Sequence, residues 1–285
     1  MSDTTHAEQP PIGTSGRRLS RAQRSTIIQW SIFVVGLGVV ALLLLPTVSW
    51  GALRDSFLDP DIFRDQFPKI ITEGARNTIV YTAIAFVGGV VFGLIAALMR
   101  QSKVTPARLL ARLYVDFFRS IPALMTILLV GFGVPIAFRD YNLPGFFNSL
   151  YGKGCFALAL VAGAYIAETI RAGIEAIPKG QAEAARSLGM KVGTTYRHII
   201  LPQAFRVVIP PMANEFILLL KDTSLLAILG VAVGERELTT FGRLVSNRVA
   251  NPTPLAAAAL MYLVITVPLT ILLNVLQKRQ RSRER

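Results

Sequence analysis

The sequence predicts an all-α membrane protein, a polytopic helical bundle. Two observations carry that expectation. Apolar residues make up 52% of the 285 and gather in blocks, and about 20 such residues at 1.5 Å rise each match the bilayer core. Six blocks are present: Ile27–Leu45, Asn77–Met99, Ile121–Phe138, Cys155–Ile170, Phe205–Val233 and Leu255–Leu276. The second observation is the placement of charge. With the N-terminus inside and six crossings, twenty of the 30 Lys and Arg residues fall on the inner side, nine on the outer, and Lys221 within a span. The positive-inside rule therefore selects N-in and C-in. The net charge of +13 thus reflects topology, and nucleic acid is not an expected partner.

In chain order, residues 1–26 are polar, with Pro10-Pro11, Gly13 and Gly16, and read as a disordered cytoplasmic tail. Residues 27–46 form a first transmembrane helix. Its apolar stretch exceeds a secretory h-region and no A-x-A-like site follows, so it is expected to stay uncleaved. Val48 to Arg76 mixes five acidic and four basic residues and reads as a solvated outer loop with an interfacial turn near Ile62–Phe67. Asn77–Met99 carries Gly89 and Gly93, a G-x-x-x-G that allows close helix approach. Arg108–Arg119 repeats Leu109, Leu113 and Phe117 at four-residue spacing among arginines, the pattern of an interfacial helix leading into the next span.

Cys155–Ile170 carries Ala159, Gly163 and Ala167 as a small-residue stripe. Glu168 and Arg171 sit three apart at its inner end, either as a local ion pair or as part of an inner gate. Phe205–Val233 is interrupted by Lys221, Asp222 and Thr223. Charges at such depth face a cavity or a partner, unless the helix ends there and Lys221 snorkels to the headgroups. Asn214 is a weaker polar position on the same segment. Gly234–Pro254 reads as an outer loop, Leu255–Leu276 as the last span, and residues 277–285 as a basic cytoplasmic tail.

Between the fourth and fifth blocks lies a polar insert, residues 172–204. Pro178 can start a short helix, and Gln181 to Leu188 are mostly good helix formers. Gly189 can take the left-handed conformation that stops it. A second amphipathic helix follows, and Pro202 is expected to end it. Ala184 and Ala185 leave a flat face for a groove. The bland reading of this insert is a cytoplasmic loop lying on the membrane.

Residues 183–202 read E-A-A-x(3)-G-x(9)-I-x-L-P, and here the chain resembles the permease subunits of ATP-binding-cassette importers. The stretches YVDFFRSIPALMTILLVGFG, AYIAETIRAGIEAIPKGQAEAARSLGM and NEFILLLKDTSLLAILG are similar to the branch that imports polar amino acids, and the likeness extends over about residues 73–276. The resemblance implies a type I importer permease with five core spans, here with one extra N-terminal span, in a bacterial cytoplasmic (inner) membrane. It implies that Glu183, Ala184, Ala185, Leu188 and Gly189 contact a cytoplasmic ATPase dimer, whose closure moves the spans. It further implies a second permease subunit, identical or homologous, and an extracytoplasmic amino-acid-binding protein, with the lipid bilayer around them. Glu168, Arg171, Asn214, Lys221, Asp222 and Thr223 are candidates for the substrate path or gate. One departure is Ser120-Ile121, where the family usually has Gly-Thr.

The same sequence argues against other classes. It contains no G-x-x-x-x-G-K-[ST] phosphate cradle, no H-E-x-x-H and no G-x-S-x-G, so neither ATP hydrolysis nor another catalytic activity is expected of this chain. Cys155 with His6 and His198 cannot build a usual His/Cys metal centre, and no cofactor is expected. The remaining alternative is an ion-coupled secondary amino-acid carrier. Such carriers pair interrupted helices in matching repeats, whereas only one span here is interrupted.

Overall fold

The computed structural model describes residues 21–230 and 234–283. Most of the expected N-terminal tail, residues 231–233 of the interrupted span and the last two residues of the basic tail lie outside them. The described residues divide into two units, one ending at Leu53 and the other beginning at Arg54. The first holds α1, Arg21–Leu44, an apolar helix whose described side chains are almost all exposed, as suits a lipid-facing span. A short helix, α2, covers Trp50–Phe57.

The expected outer loop before Asn77 is mostly helical. Asp59 caps α3, Pro60–Lys69, by accepting from the backbone N–H groups of Asp61 and Ile62 at 3.0 and 3.1 Å, and Pro60 takes a first-turn position where its missing N–H is harmless. A π segment, Ile70–Ala75, joins α3 to α4, Arg76–Gln101. The amphipathic α5, Thr105–Ser120, meets α6, Ala123–Ala137, at 107°. The turn passes through Ser120-Ile121, with Ile121 extended. A single helical turn, α7 (Gly145–Asn148), precedes α8, Leu150–Glu175. The polar insert supplies α9, Lys179–Ser187, and α10, Val192–Thr195, and then α11, Leu201–Asp222.

Pro202 does not end a helix. A π segment, Tyr196–Ile200, runs on from α10 into α11, with Leu201 N–H bonded back to the Tyr196 carbonyl. The wide turn admits the proline, and Gln203 donates its side-chain amide to the Ile199 carbonyl at 2.9 Å. Pro210 and Pro211 also lie inside α11. A 3₁₀ turn, Thr223–Leu229, follows at the expected interruption.

Gly234–Pro254 is likewise no loop. It holds α12, Leu238–Val249, which buries Leu238, Phe241 and Val245 against Ile70 and Ala75 of the π segment and against Ala257 and Ala258 of α13, Thr253–Arg283. The basic tail expected from residue 277 continues this last helix, since Gln, Lys and Arg are good helix formers and cations favour a helix C-terminus.

Among the described residues, four helical stretches are long and apolar enough to cross a bilayer, or five if the bent α5–α6 pair is one span. α11, which carries Arg206, Glu215, Lys221 and Asp222, falls outside that count. The most buried is α8, with 78% of its most apolar stretch covered against 11% for α13. Its small-residue stripe meets that of α4. A Cβ on Gly93 would lie 2.6 Å from Ile166 Cγ2 and 2.9 Å from the Gly163 carbonyl, and one on Gly89 would lie 2.9 Å from Ala162 Cβ. Lipid tails are as apolar as side chains, so this intimacy gains its strength from close packing. Gly93→Leu is expected to force the two helices apart and cost about 1–3 kcal/mol, read as a lowered unfolding temperature in detergent.

Candidate functional site

The motif at residues 183–189 forms a capped, largely exposed helix end. Pro178 precedes α9, and a Schellman cap closes it: Gly189 N–H bonds the Arg186 carbonyl at 2.9 Å and Met190 N–H bonds the Ala185 carbonyl at 3.1 Å. The cap needs a left-handed residue, and Gly189 supplies it with φ of 83°. α9 packs on the π segment Tyr196–Ile200. Ala185 is the buried residue of α9, 5% exposed, so the flat face expected of Ala184 and Ala185 is split: Ala185 turns inward and Ala184 outward. Glu183, Leu188 and Gly189 are also exposed, Leu188 to 85%. After the non-helical residues 188–191 the chain runs through α10 and the π segment into α11.

Glu168 is more than half of a local pair. It accepts from Arg171 on its own helix and from Arg100 Nη1 of α4 at 2.7 Å, and Arg119 Nη1 of α5 lies 3.9 Å away. Arg171 also pairs with Glu175, and Arg119 stands over the Tyr165 ring, 5.5 Å from its centroid. One carboxylate thus ties α4, α5 and α8 together at the end of the bundle nearest α9. Sequence reasoning found Glu168 and Arg171 but missed Arg100 and Arg119, whose approach depends on helix crossings. Arg100 and Glu168 are each about one-quarter exposed or less. A double-mutant cycle of Arg100→Ala and Glu168→Ala is expected to give a coupling of about 1 kcal/mol, the upper end for solvent-touched pairs, measured by thermal unfolding.

The other polar candidates do not join this cluster. Lys221 and Asn214 are exposed, Asp222 is half-buried, and Thr223 is buried with its hydroxyl donating to the Leu220 carbonyl at 2.6 Å. α11 has 22 residues, about 33 Å of rise, which puts Lys221, Asp222 and Thr223 at the opposite end of the bundle from Glu168.

At that opposite end the structure holds a network that the sequence did not reveal. Asn77 Nδ2 donates to the carbonyls of Gly234 and Arg236 at 3.0 and 3.1 Å, and Tyr81 Oη donates to that of Glu235 at 3.0 Å. Glu73 Oε1 accepts from Gly234 N–H at 3.0 Å, Tyr151 Oη from Glu237 N–H at 3.2 Å, and Thr78 Oγ1 from Leu238 N–H at 3.1 Å. Glu237 itself is fully buried and caps α12, accepting from Thr239 and Thr240 N–H at 2.6 Å each and from Tyr262 Oη at 3.2 Å. Burial pushes its carboxyl up from the usual carboxylate range, and these donors pull it back. The readable signal was an acidic residue just ahead of Leu238-Thr239-Thr240, a helix start.

Residues 89–282 match the family described as the binding-protein-dependent transport system inner membrane component. The chain belongs to this family. The permease is 38% identical over 222 residues to the probable glutamine ABC transporter permease protein GlnM of Bacillus subtilis, covering 78% of the permease and 98% of that relative. It is 34% identical over 244 residues to the arginine transport system permease protein ArgU of Corynebacterium glutamicum, covering 81% and 76%. A crystal structure of an amino acid ABC transporter with histidines superposes with a TM-score of 0.67 at 35% identity, covering 75% of the permease and 95% of that chain. The chain is therefore a transmembrane permease subunit of an ABC importer and an inner-membrane component, and ATP hydrolysis in such a transporter is done by a separate subunit. The ion-coupled carrier is not favoured.

Proposed function

We propose that this permease carries a polar amino acid inward across a bacterial cytoplasmic membrane, with both termini inside, and that α9 is the point where an ATPase dimer drives it. The observation that supports this reading best is the capped tip of α9: Glu183, Ala184, Leu188 and Gly189 face outward, while Ala185 anchors the helix to the segment that becomes α11. A push on the tip would reach α11 through the packing of α9 on the π segment that leads into it. The charge distribution supports the orientation, since the insert and the Glu168 cluster then both lie inside.

In this reading Glu168, Arg171, Arg100 and Arg119 brace the inner end of the path. Asp222 and Lys221 stand at the outer end, where an extracytoplasmic amino-acid-binding protein would deliver its load. A second permease subunit, a copy or a homologue, completes the path. Family relatives named for glutamine and arginine support an amino acid as the cargo. The test is to purify the tagged permease from its host membrane, identify the ATPase and binding protein that accompany it, and measure which amino acids stimulate ATP hydrolysis in vesicles. Stimulation by a polar amino acid through the binding protein is the expected result. Stimulation only by an unrelated solute would remove the substrate assignment. Absence of any accompanying ATPase would remove the coupling assignment.

A further inference from the structure

Residues 234–237 lie against the beginnings of α4 and α8, and the way they are held differs from the rest of the bundle. Side chains of Glu73, Asn77, Tyr81 and Tyr151 grip their backbone through five hydrogen bonds. The four residues, Gly234, Glu235, Arg236 and Glu237, carry no apolar side chain of their own. From Leu238 onward the attachment changes, since Leu238, Phe241 and Val245 are buried in an apolar cluster with Ile70 and Ala257. Arg236 is the anomaly of the stretch. It is only 8% exposed, yet its Nε is buried with no hydrogen-bond partner among the described residues. Its counter-charge, Glu73 Oε1, stands 3.6 Å from that nitrogen and already accepts from Gly234 N–H.

We propose that residues 234–237 are a strap that closes the outer end of the bundle and peels from α4 and α8 when the permease opens to that side, while α12 stays in place. Hydrogen bonds exchange for bonds to water when their partners separate, so each holds the strap with little net strength. Peeling uncovers almost no apolar side chain of the strap itself. It also relieves a cost, because a buried donor without a partner is destabilising and water satisfies it once exposed. Gly234, at φ of 92°, gives the chain a swivel at one end of the strap. Stretches with few apolar contacts open locally while the surrounding fold persists, and here the apolar anchor begins at Leu238. Peeling frees Glu73, Asn77 and Tyr81, spaced four residues apart along one side of the chain, to face whatever enters from outside. The inference rests on the reading that this end lies outside and that an ATPase drives the bundle.

The test is amide hydrogen exchange on the complete transporter in lipid nanodiscs, read by mass spectrometry with fragmentation to single residues. The unaltered protein is compared without nucleotide and trapped with ATP and vanadate. The amides of Gly234, Glu237 and Leu238 report directly, because Glu73, Tyr151 and Thr78 hold them. Their exchange is expected to quicken roughly tenfold or more in the trapped state, with that of Val245 in α12 unchanged. Tyr81→Phe keeps the ring stacked on Tyr151, 4.2 Å between centroids, and removes one bond to the strap. It should speed resting exchange at the same amides about fivefold, the weight of one hydrogen bond. Equal exchange in the two states would overturn the proposal, as would equal quickening throughout α12 or no effect of Tyr81→Phe. Stimulation of ATP hydrolysis by glutamine or arginine, assayed on the same preparation, tests the coupling reading separately. Unchanged exchange beside stimulated hydrolysis would condemn the strap alone.

Discussion

Leu188→Asp is expected to leave the permease in the membrane at normal levels and to reduce amino-acid uptake at least thirtyfold. Leu188 ends α9 with 85% of its surface exposed, so its loss opens no cavity in the chain. A lone exposed leucine is ordinary on a protein surface. This one differs because a Schellman cap fixes its backbone, so under the proposed coupling role it would meet a partner with little ordering cost. An anchor seated in a partner's pocket typically contributes about 2 kcal/mol or more, and burying aspartate there costs further. Uptake into vesicles, membrane content and ATPase recovery on purification should be measured together. Normal uptake with normal content would show that the tip touches no motor.

Gly189→Val tests the same tip through its backbone. A Cβ at Gly189 meets nothing within 4 Å, so no clash is involved, but φ of 83° is strained for any L side chain. The strain, about 1–2 kcal/mol, should unfasten the cap and lower uptake about tenfold, with Gly189→Ala less severe. Leu188→Asp would act at the proposed contact surface and Gly189→Val on its support. Defects in both would separate a positioned contact from a generally sticky loop.

The second large effect concerns stability. Glu237→Ala removes a fully buried carboxylate that accepts from two backbone N–H groups, the Thr240 hydroxyl and Tyr262. The lost cap costs about 0.5–2 kcal/mol, and the stranded donors add about 1–3 kcal/mol. A total near 3 kcal/mol should appear as a lower denaturation midpoint in detergent. Glu237→Gln keeps one acceptor oxygen but turns an amide N–H toward a donor, and should fall between Ala and the unaltered protein. A midpoint unchanged by Glu237→Ala would mean that α12 is held by its apolar face alone.

The helical class and the capped end of α9 were legible because each rests on local signals. Apolar blocks mark spans, and Pro178 with Gly189 brackets α9. The α4–α8 interface was half legible: both small-residue stripes were visible, but not that they face one another. What escaped was tertiary. Arg100 and Glu168 are 68 residues apart, and Asn77 reaches Arg236 across 159, distances over which a single sequence carries no periodic signal. α3 and α12 were read as loop because they are short and charged, although Asp59-Pro60 and Glu237 are ordinary helix-start residues. Pro202 misled because a proline usually stops an α-helix, whereas a wider turn accommodates it.

The π segment at Ile70–Ala75 fixes the phase of everything after it. One residue is about 100° of helix rotation. Deleting a single residue there would restore regular winding and swing Asn77, Thr78 and Tyr81 a quarter-turn or more away from residues 234–238, while also rotating Gly89 and Gly93 off Ala162 and Gly163. The azimuth of a whole span, and with it the seam that joins two distant parts of the chain, is thus set by one surplus amino acid.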